Sequence, residues 1–144
     1  MKKDVLITIK GIQYQDDEPD TVELTTVGRF YKKDNSYYIC YDESEATGFE
    51  GSKTTLKVEG EGKVTMLRRG GKNSSQLIIE KGARHQCLYD TEYGSLTLGV
   101  SGDRIISRLG DDGGDLNFRY TLDINASMAT ENEVIISVRE CSRS

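Results

Sequence analysis

Apolar and polar residues alternate along most of this chain, and no stretch sustains the 3.6-residue period of an amphipathic helix. The clearest segment is 116–124, where Leu, Phe, Tyr, Leu and Ile occupy every second position and polar residues lie between them. Successive side chains of a strand point to opposite faces, so this pattern predicts a strand with one buried and one solvated face. The same alternation recurs at 5–9, 56–58, 96–100 and 134–138. The pattern predicts an all-β protein.

Short clusters of turn-forming residues separate these segments, and most of them contain glycine. We interpret them as hairpin loops, including Gly102-Asp103, and expect one longer connection at about 42–53. The predicted strands are 4–14, 20–32, 36–43, 53–60, 63–69, 75–81, 84–90, 94–101, 104–109, 115–125 and 133–141. The inward residue of the 104–109 strand stays open between Ile105 and Ile106, and the register of 63–69 is equally uncertain.

The short connections favour antiparallel pairing of sequential strands in an up-and-down meander. A long meander with one apolar face has two open edges, and closure into a barrel of about 8–10 strands removes them. A two-sheet sandwich is the alternative, but its crossing connections need more long loops than this chain has. The length of 144 residues fits a single domain over 1–144.

The charge balance argues against several function classes. Nineteen basic and twenty-four acidic residues give a net charge of -5, which disfavours binding to nucleic acid. No apolar run approaches the roughly 20 residues of a membrane span, and charges interrupt the first ten residues before a secretion signal could form. We therefore expect a cytoplasmic protein that binds neither membrane nor nucleic acid.

The metal-ligating residues are sparse. Cys40, Cys87 and Cys141 are widely spaced, and His85 is the single histidine of the chain. This arrangement argues against a zinc site and a disulfide framework. No phosphate-binding or nucleophile motif is complete, so the sequence predicts no metal, no cofactor and no catalytic residue.

Some predicted strands carry polar residues on the same face as their apolar ones. The alternation places Glu43 in phase with Ile39, and Arg68 in phase with Val64. Because a barrel of this size can enclose a ligand, such inward polar groups could orient one. These candidate lining residues are Tyr41, Glu43, Arg68, His85 and Tyr89. The alternative is that they are satisfied core residues, with Arg68 paired to Glu43 or reaching solvent.

Residues 41–58, which run Tyr-Asp-Glu-Ser-Glu-Ala-Thr-Gly-Phe-Glu-Gly-Ser-Lys-Thr-Thr-Leu-Lys-Val, resemble the signature of the YwiB-like family of bacterial proteins. The segments 68–70, 89–100 and 116–125 resemble later blocks of that family in the same order, so the resemblance covers about 4–140. It implies a calycin (lipocalin-like) β-barrel in an intracellular protein, and it brings no known reaction. The signature positions are Tyr41, Glu43, Thr47, Gly48, Gly51, Lys53 and Thr54.

Three functions stay open at this point. The first is a cytoplasmic protein that binds a small apolar or anionic ligand, with Lys53 joining the five candidate lining residues. The second is a protein–protein interaction module with a filled barrel and no ligand. The third is an enzyme that uses His85 and Glu43, which requires that the two side chains lie close enough to share a substrate.

Overall fold

A computed structural model shows a chain made of ten β-strands. It describes residues 3–15, 18–44, 50–70, 74–91, 93–124 and 127–141. The strands are β1 (Lys3–Gln15), β2 (Glu18–Lys33), β3 (Ser36–Asp42), β4 (Ser52–Glu59), β5 (Lys63–Gly70), β6 (Ser74–Glu80), β7 (Arg84–Thr91), β8 (Gly94–Gly110), β9 (Gly113–Ile124) and β10 (Ser127–Glu140). The described part of the chain holds no helix with the length and apolar character that a membrane crossing needs.

The ten strands form one closed barrel in which each strand pairs antiparallel with its neighbours in sequence. The first strand closes the sheet, since β1 pairs with β10 as well as with β2. This confirms the predicted all-β meander and its closure into a barrel. Closure shields most inward positions from water, which is why the period-2 pattern of the sequence is so regular.

The structure corrects the prediction around Gly102. We expected a turn here between two strands, but β8 runs without interruption from Gly94 to Gly110. A register shift between Gly102 and Arg104 marks an irregularity in its pairing with β9. A side chain at Gly102 would overlap the carbonyl oxygen of Glu80, because the β6–β7 connection packs directly on β8. The glycine therefore serves a close backbone approach within a long strand, and not a hairpin turn.

The packed part of the barrel is filled by inward aliphatic and aromatic side chains. Those that are fully or almost fully buried include Ile7, Phe30, Ile39, Leu56, Ile79, Leu116, Phe118 and Ile136. Ile105 is 2% exposed and Ile106 is 37% exposed, so the structure settles which of the two faces inward. Val64 and Met66 are also buried, in the predicted register.

The two ends of the barrel differ. We call the end that carries the β1–β2, β3–β4, β5–β6, β7–β8 and β9–β10 connections the open end. Towards this end β2 outruns β3: it pairs with β3 over residues 29–33, whereas residues 18–28 pair with β1 and, among described residues, not with β3. At Gly28 a side chain would overlap the carbonyl oxygen of Cys40, so glycine is required where the two strands separate.

Candidate functional site

A row of polar side chains crosses five neighbouring strands near the open end. Tyr41 on β3 pairs with Thr54 on β4, and Thr54 pairs with Arg68 on β5. Arg68 then pairs with Ser75 on β6, which pairs with Tyr89 on β7. All five positions have the inward phase of their strands, so the fold brings the predicted lining residues Tyr41, Arg68 and Tyr89 onto one row of the inner wall.

Glu43 and Arg68 form an ion pair inside the barrel. Nη2 and Nε of Arg68 donate hydrogen bonds of 3.1 and 3.3 Å to Oε2 of Glu43. Oγ1 of Thr54 donates to the same carboxylate oxygen at 2.5 Å. The exposed fractions of the two charged side chains are 12% for Arg68 and 2% for Glu43. A carboxylate that is removed from water needs such donors, so these contacts compensate Glu43 for its lost hydration inside the barrel.

Two tyrosines lie close to this ion pair. Burial is the main reason that the pKa of Tyr41 is raised, and the neighbouring Glu43 carboxylate raises it further. Burial also raises the pKa of Tyr120, while the positive charge of Arg68 acts in the opposite direction. Both phenols therefore stay protonated throughout the neutral range and can act as hydrogen-bond donors.

A pocket of about 210 Å³ opens above the ion pair. It is lined by Ile9, Gly11, Ile12, Gln13, Asp20, Val22, Leu24, Glu43, Arg68, Tyr120, Asn132, Glu133 and Val134. The strands that contribute most of these residues are β1, β2 and β10, opposite the row of polar residues on the shorter strands. Apolar walls with a few convergent polar groups are the usual composition of a small-ligand site.

Glu133, at the rim of this pocket, is held by a network on the outer side of the barrel. Its carboxylate accepts hydrogen bonds from Tyr14 at 2.9 Å, from Asn117 at 3.0 Å and from Arg104 at 3.3 Å. Partial burial opposes ionisation, but the bonds from Asn117 and Tyr14 and the charges of Arg119 and Arg104 outweigh it and lower the pKa of Glu133. The network joins β1, β8, β9 and β10 beside the pocket.

Of the six predicted lining residues, Glu43 and Arg68 line this pocket, whereas Tyr41 and Tyr89 lie on the polar row outside its lining. Lys53 and His85 lie elsewhere. Lys53 is 68% exposed on the outer face of β4, with its Nζ 4.0 Å from Asp42. His85 has the inward phase, but it lies four residues along β7 from Tyr89, about 13 Å at the usual rise per residue. Its Nε2 is 2.8 Å from Oε1 of Glu80. The structure therefore gives His85 and Glu43 separate partners and does not bring them together.

Ser75 occupies the row beside Arg68 and is 5% exposed. Its hydroxyl is buried without a hydrogen-bond partner among the described residues. Within the described ranges, no group of three or more His, Cys, Asp or Glu residues is arranged to hold a metal ion. The side chains that offer hydrogen bonds and charge at this site are Glu43, Arg68, Thr54 and the two tyrosines.

The pocket residues on the long strands were not among the predicted site residues. Gln13 has the same phase as the buried Ile7 and Ile9 on β1, and Asn132 has the same phase as Ile136 on β10. A polar residue that continues an inward apolar series is the signal that could have located them, because it indicates where the barrel interior becomes wet.

Comparison with known proteins agrees with this architecture. Residues 7–136 match the family described as "Domain of unknown function (DUF1934)". The chain belongs to this family. One relative, the "Uncharacterized beta-barrel protein YwiB" of Bacillus subtilis (strain 168), is 30% identical over 126 residues, which cover 86% of each chain. The resemblance to the YwiB-like family is thereby confirmed.

The crystal structure of the ywiB protein from Bacillus subtilis is similar to this barrel, with a TM-score of 0.83 and 24% sequence identity. The similarity covers 98% of this chain and 94% of that chain. At this level of identity, the likeness supports the DUF1934 barrel fold and leaves function to be argued from the site.

Proposed function

We propose that this DUF1934 protein is a calycin-like, small-ligand-binding barrel that holds its ligand in the pocket at the open end. The observation that carries the proposal is the pocket of about 210 Å³, with apolar walls and the Glu43–Arg68 ion pair as its floor. A pocket of this volume suits a small metabolite better than a long lipid.

The lining favours a partly apolar ligand. Val22 and Leu24 on β2 and Val134 on β10 offer aliphatic surface, and a ligand that covers them removes that surface from water. A folded protein keeps inward apolar residues at an open mouth at some risk of aggregation, and a bound ligand offsets that risk. The ion pair then orients the ligand by offering both hydrogen-bond donors and an acceptor.

The charges of the lining refine the ligand class. Arg68 is the pocket's one cationic lining residue within the described part of the chain, and Glu43 neutralises it at 3.1 Å. Asp20 and Glu133 add two further carboxylates. Since negative potential repels anions, we favour a ligand whose polar group is neutral or positively charged over the anionic ligand that the sequence left open.

We further propose that the protein acts in the cytoplasm. Cys40, Cys87 and Cys141 are all free thiols. Free cysteines are typical of a reducing compartment, whereas secreted barrels of this size commonly pair them. Fractionation of the producing cells with antibodies to this protein tests the proposal, and recovery in the culture medium would contradict it.

Native mass spectrometry of the purified protein is the first test of ligand binding. We expect the folded protein to carry a reproducible excess mass that disappears on denaturation, or to take up the neutral probe N-phenyl-1-naphthylamine with a rise in its fluorescence. A protein that carries no excess mass and takes up no probe at any concentration would overturn the proposal.

A matched pair of variants on β2 locates the site. Val22 lines the pocket, whereas Val27 lies on the outer face of the same strand and is 61% exposed. We expect Val22→Lys to weaken probe binding, because it places an ammonium group among the apolar walls, and we expect Val27→Lys to leave binding unchanged. Equal effects of the two substitutions would place the ligand elsewhere.

The second candidate is a protein interaction module that uses the same end of the barrel. It is favoured by apolar side chains exposed there, with Leu96 at 48% and Tyr93 at 92% exposure. In the native mass spectrum this function predicts a defined dimer without excess mass. A monomer with excess mass at all concentrations contradicts it.

A further inference from the structure

Gly11 lies within a strand, at a position where neither the backbone conformation nor the packing requires glycine. Among the described glycines, several have positive φ, and others, such as Gly28, have no room for a side chain. Gly11 has neither property: its φ is not in the left-handed region, and a Cβ built there would meet no atom within 4 Å. Glycine in a strand interior lowers stability and packs against nothing, so its presence here needs another reason.

The space beside Gly11 is the pocket. Residues 5, 7 and 9 of β1 are buried, so residue 11 also faces the barrel interior. Its register partners are Val22 on β2 and Val134 on β10, and all three residues line the pocket. Side chains stand roughly perpendicular to the sheet, so any larger residue at position 11 would project into the space between these two valines.

The pocket has an apolar side and a polar side. Ile9, Val22, Leu24 and Val134 lie around Gly11 on β1, β2 and β10, and the polar Gln13, Asp20 and Asn132 follow on the same strands nearer the open end. Arg68 on β5 and Glu43, just after β3, lie across the barrel mouth. A ligand that spans the pocket therefore meets aliphatic surface and bare backbone at one end and the ion pair at the other.

We propose that Gly11 is the residue that sets ligand size: the ligand's apolar group lies on the Gly11 backbone, and its neutral or cationic polar group faces Glu43. The ligand class is a small amphipathic molecule whose apolar group fits between Val22 and Val134. This inference rests on the proposed function and adds the residue that admits the apolar group.

The test compares Gly11→Ala and Gly11→Leu with the wild type, with N-phenyl-1-naphthylamine as the probe. Gly62→Leu is the matched control, because Gly62 lies in the β4–β5 connection at the opposite end and a Cβ there approaches nothing closer than 3.9 Å. We expect Gly11→Leu to weaken probe binding roughly tenfold or more, because leucine fills the apolar side of the pocket, and Gly11→Ala to weaken it less. Gly62→Leu should bind as the wild type does.

Thermal unfolding separates loss of the pocket from loss of the fold. Because nothing but ligand space requires glycine at position 11, both Gly11 variants should unfold at or above the wild-type temperature. A lower midpoint for Gly11→Ala would overturn the inference, since it would mean that the fold itself needs the glycine.

The outcomes also distinguish this inference from the proposed function. If the wild type binds the probe and Gly11→Leu binds it equally well, the role of Gly11 is wrong while ligand binding stands. If the wild type takes up no probe and carries no excess mass, both the proposed function and the role of Gly11 are wrong.

Discussion

The packed part of the barrel and its open end are built from the same strands but differ in what their inward positions carry. In the packed part, β1 contributes Val5 and Ile7, both fully buried, and β9 contributes Phe118. At the open end the same β1 contributes Gly11 and Gln13 to the wall of a pocket. The inward residues of β1 thus belong to the core at one end and line the pocket at the other, while inward and outward positions keep alternating.

This difference shows how one closed sheet serves two purposes. The packed part supplies the apolar burial that stabilises a chain with modest hydrophobic content. The open end is thereby free to carry an ion pair, a strand glycine and exposed valine, all of which lower stability when considered alone. Substitutions should therefore affect stability in the packed part and binding at the open end.

The largest expected effect comes from truncating the packed part. Phe118 is fully buried, and Phe118→Ala should lower the free energy of unfolding by about 3–5 kcal/mol, because it removes buried area and leaves a cavity. Val22→Ala at the open end should cost less than about 1 kcal/mol, since Val22 is already 38% exposed. Urea denaturation measures both, and similar losses would mean that the open end is part of the core.

The ion pair should give the next largest effect. Arg68→Met removes the cation and two hydrogen-bond donors from the buried Glu43 carboxylate and should cost about 3 kcal/mol. The double variant Arg68→Met with Glu43→Leu removes both charges and should recover most of that loss. Additive losses, measured by a double-mutant cycle in urea, would show that the two side chains do not depend on each other.

Glu133 should make stability depend on pH. Its pKa in the folded protein lies below the ordinary value of 4.5, so the stability that it contributes is complete above about pH 4.5 and is lost as the pH falls through the folded pKa. Glu133→Gln should lower the free energy of unfolding by about 1 kcal/mol at neutral pH. When the pH falls from about 6 to about 3, the free energy of unfolding should fall less for this variant than for the wild type. Parallel pH profiles for the two proteins, measured by chemical denaturation, would contradict this role.

Lys53 should give the smallest effect. Its side chain is 68% exposed and its ammonium is 4.0 Å from Asp42, so Lys53→Ala should change stability by less than about 0.5 kcal/mol. Probe binding should also stay unchanged, because Lys53 lies on the outer face of β4. A clear loss of probe affinity in a fluorescence titration would return Lys53 to the binding site.

Much of the site could be predicted where strand phase alone decides it. The alternation placed Glu43 and Arg68 on the inner face, and the alternative that they pair with each other is what the structure shows. The same logic failed at Gly102, because a glycine that permits a close backbone approach looks like a turn in sequence. Strand phase did not support Lys53 as a lining residue, because Lys53 was named from the family signature and not from the alternation.

The sequence by itself determined that this chain is an all-β meander and which face of most strands is buried, because these follow from a local period of two residues. Only the tertiary structure decided which inward polar groups meet. The pairing of Glu43 with Arg68 depends on the register of β3, β4 and β5, and the pocket at Gly11 opens where long strands such as β2 extend beyond their shorter neighbours. That stagger results from closing ten strands into one barrel, which no local pattern of residues records.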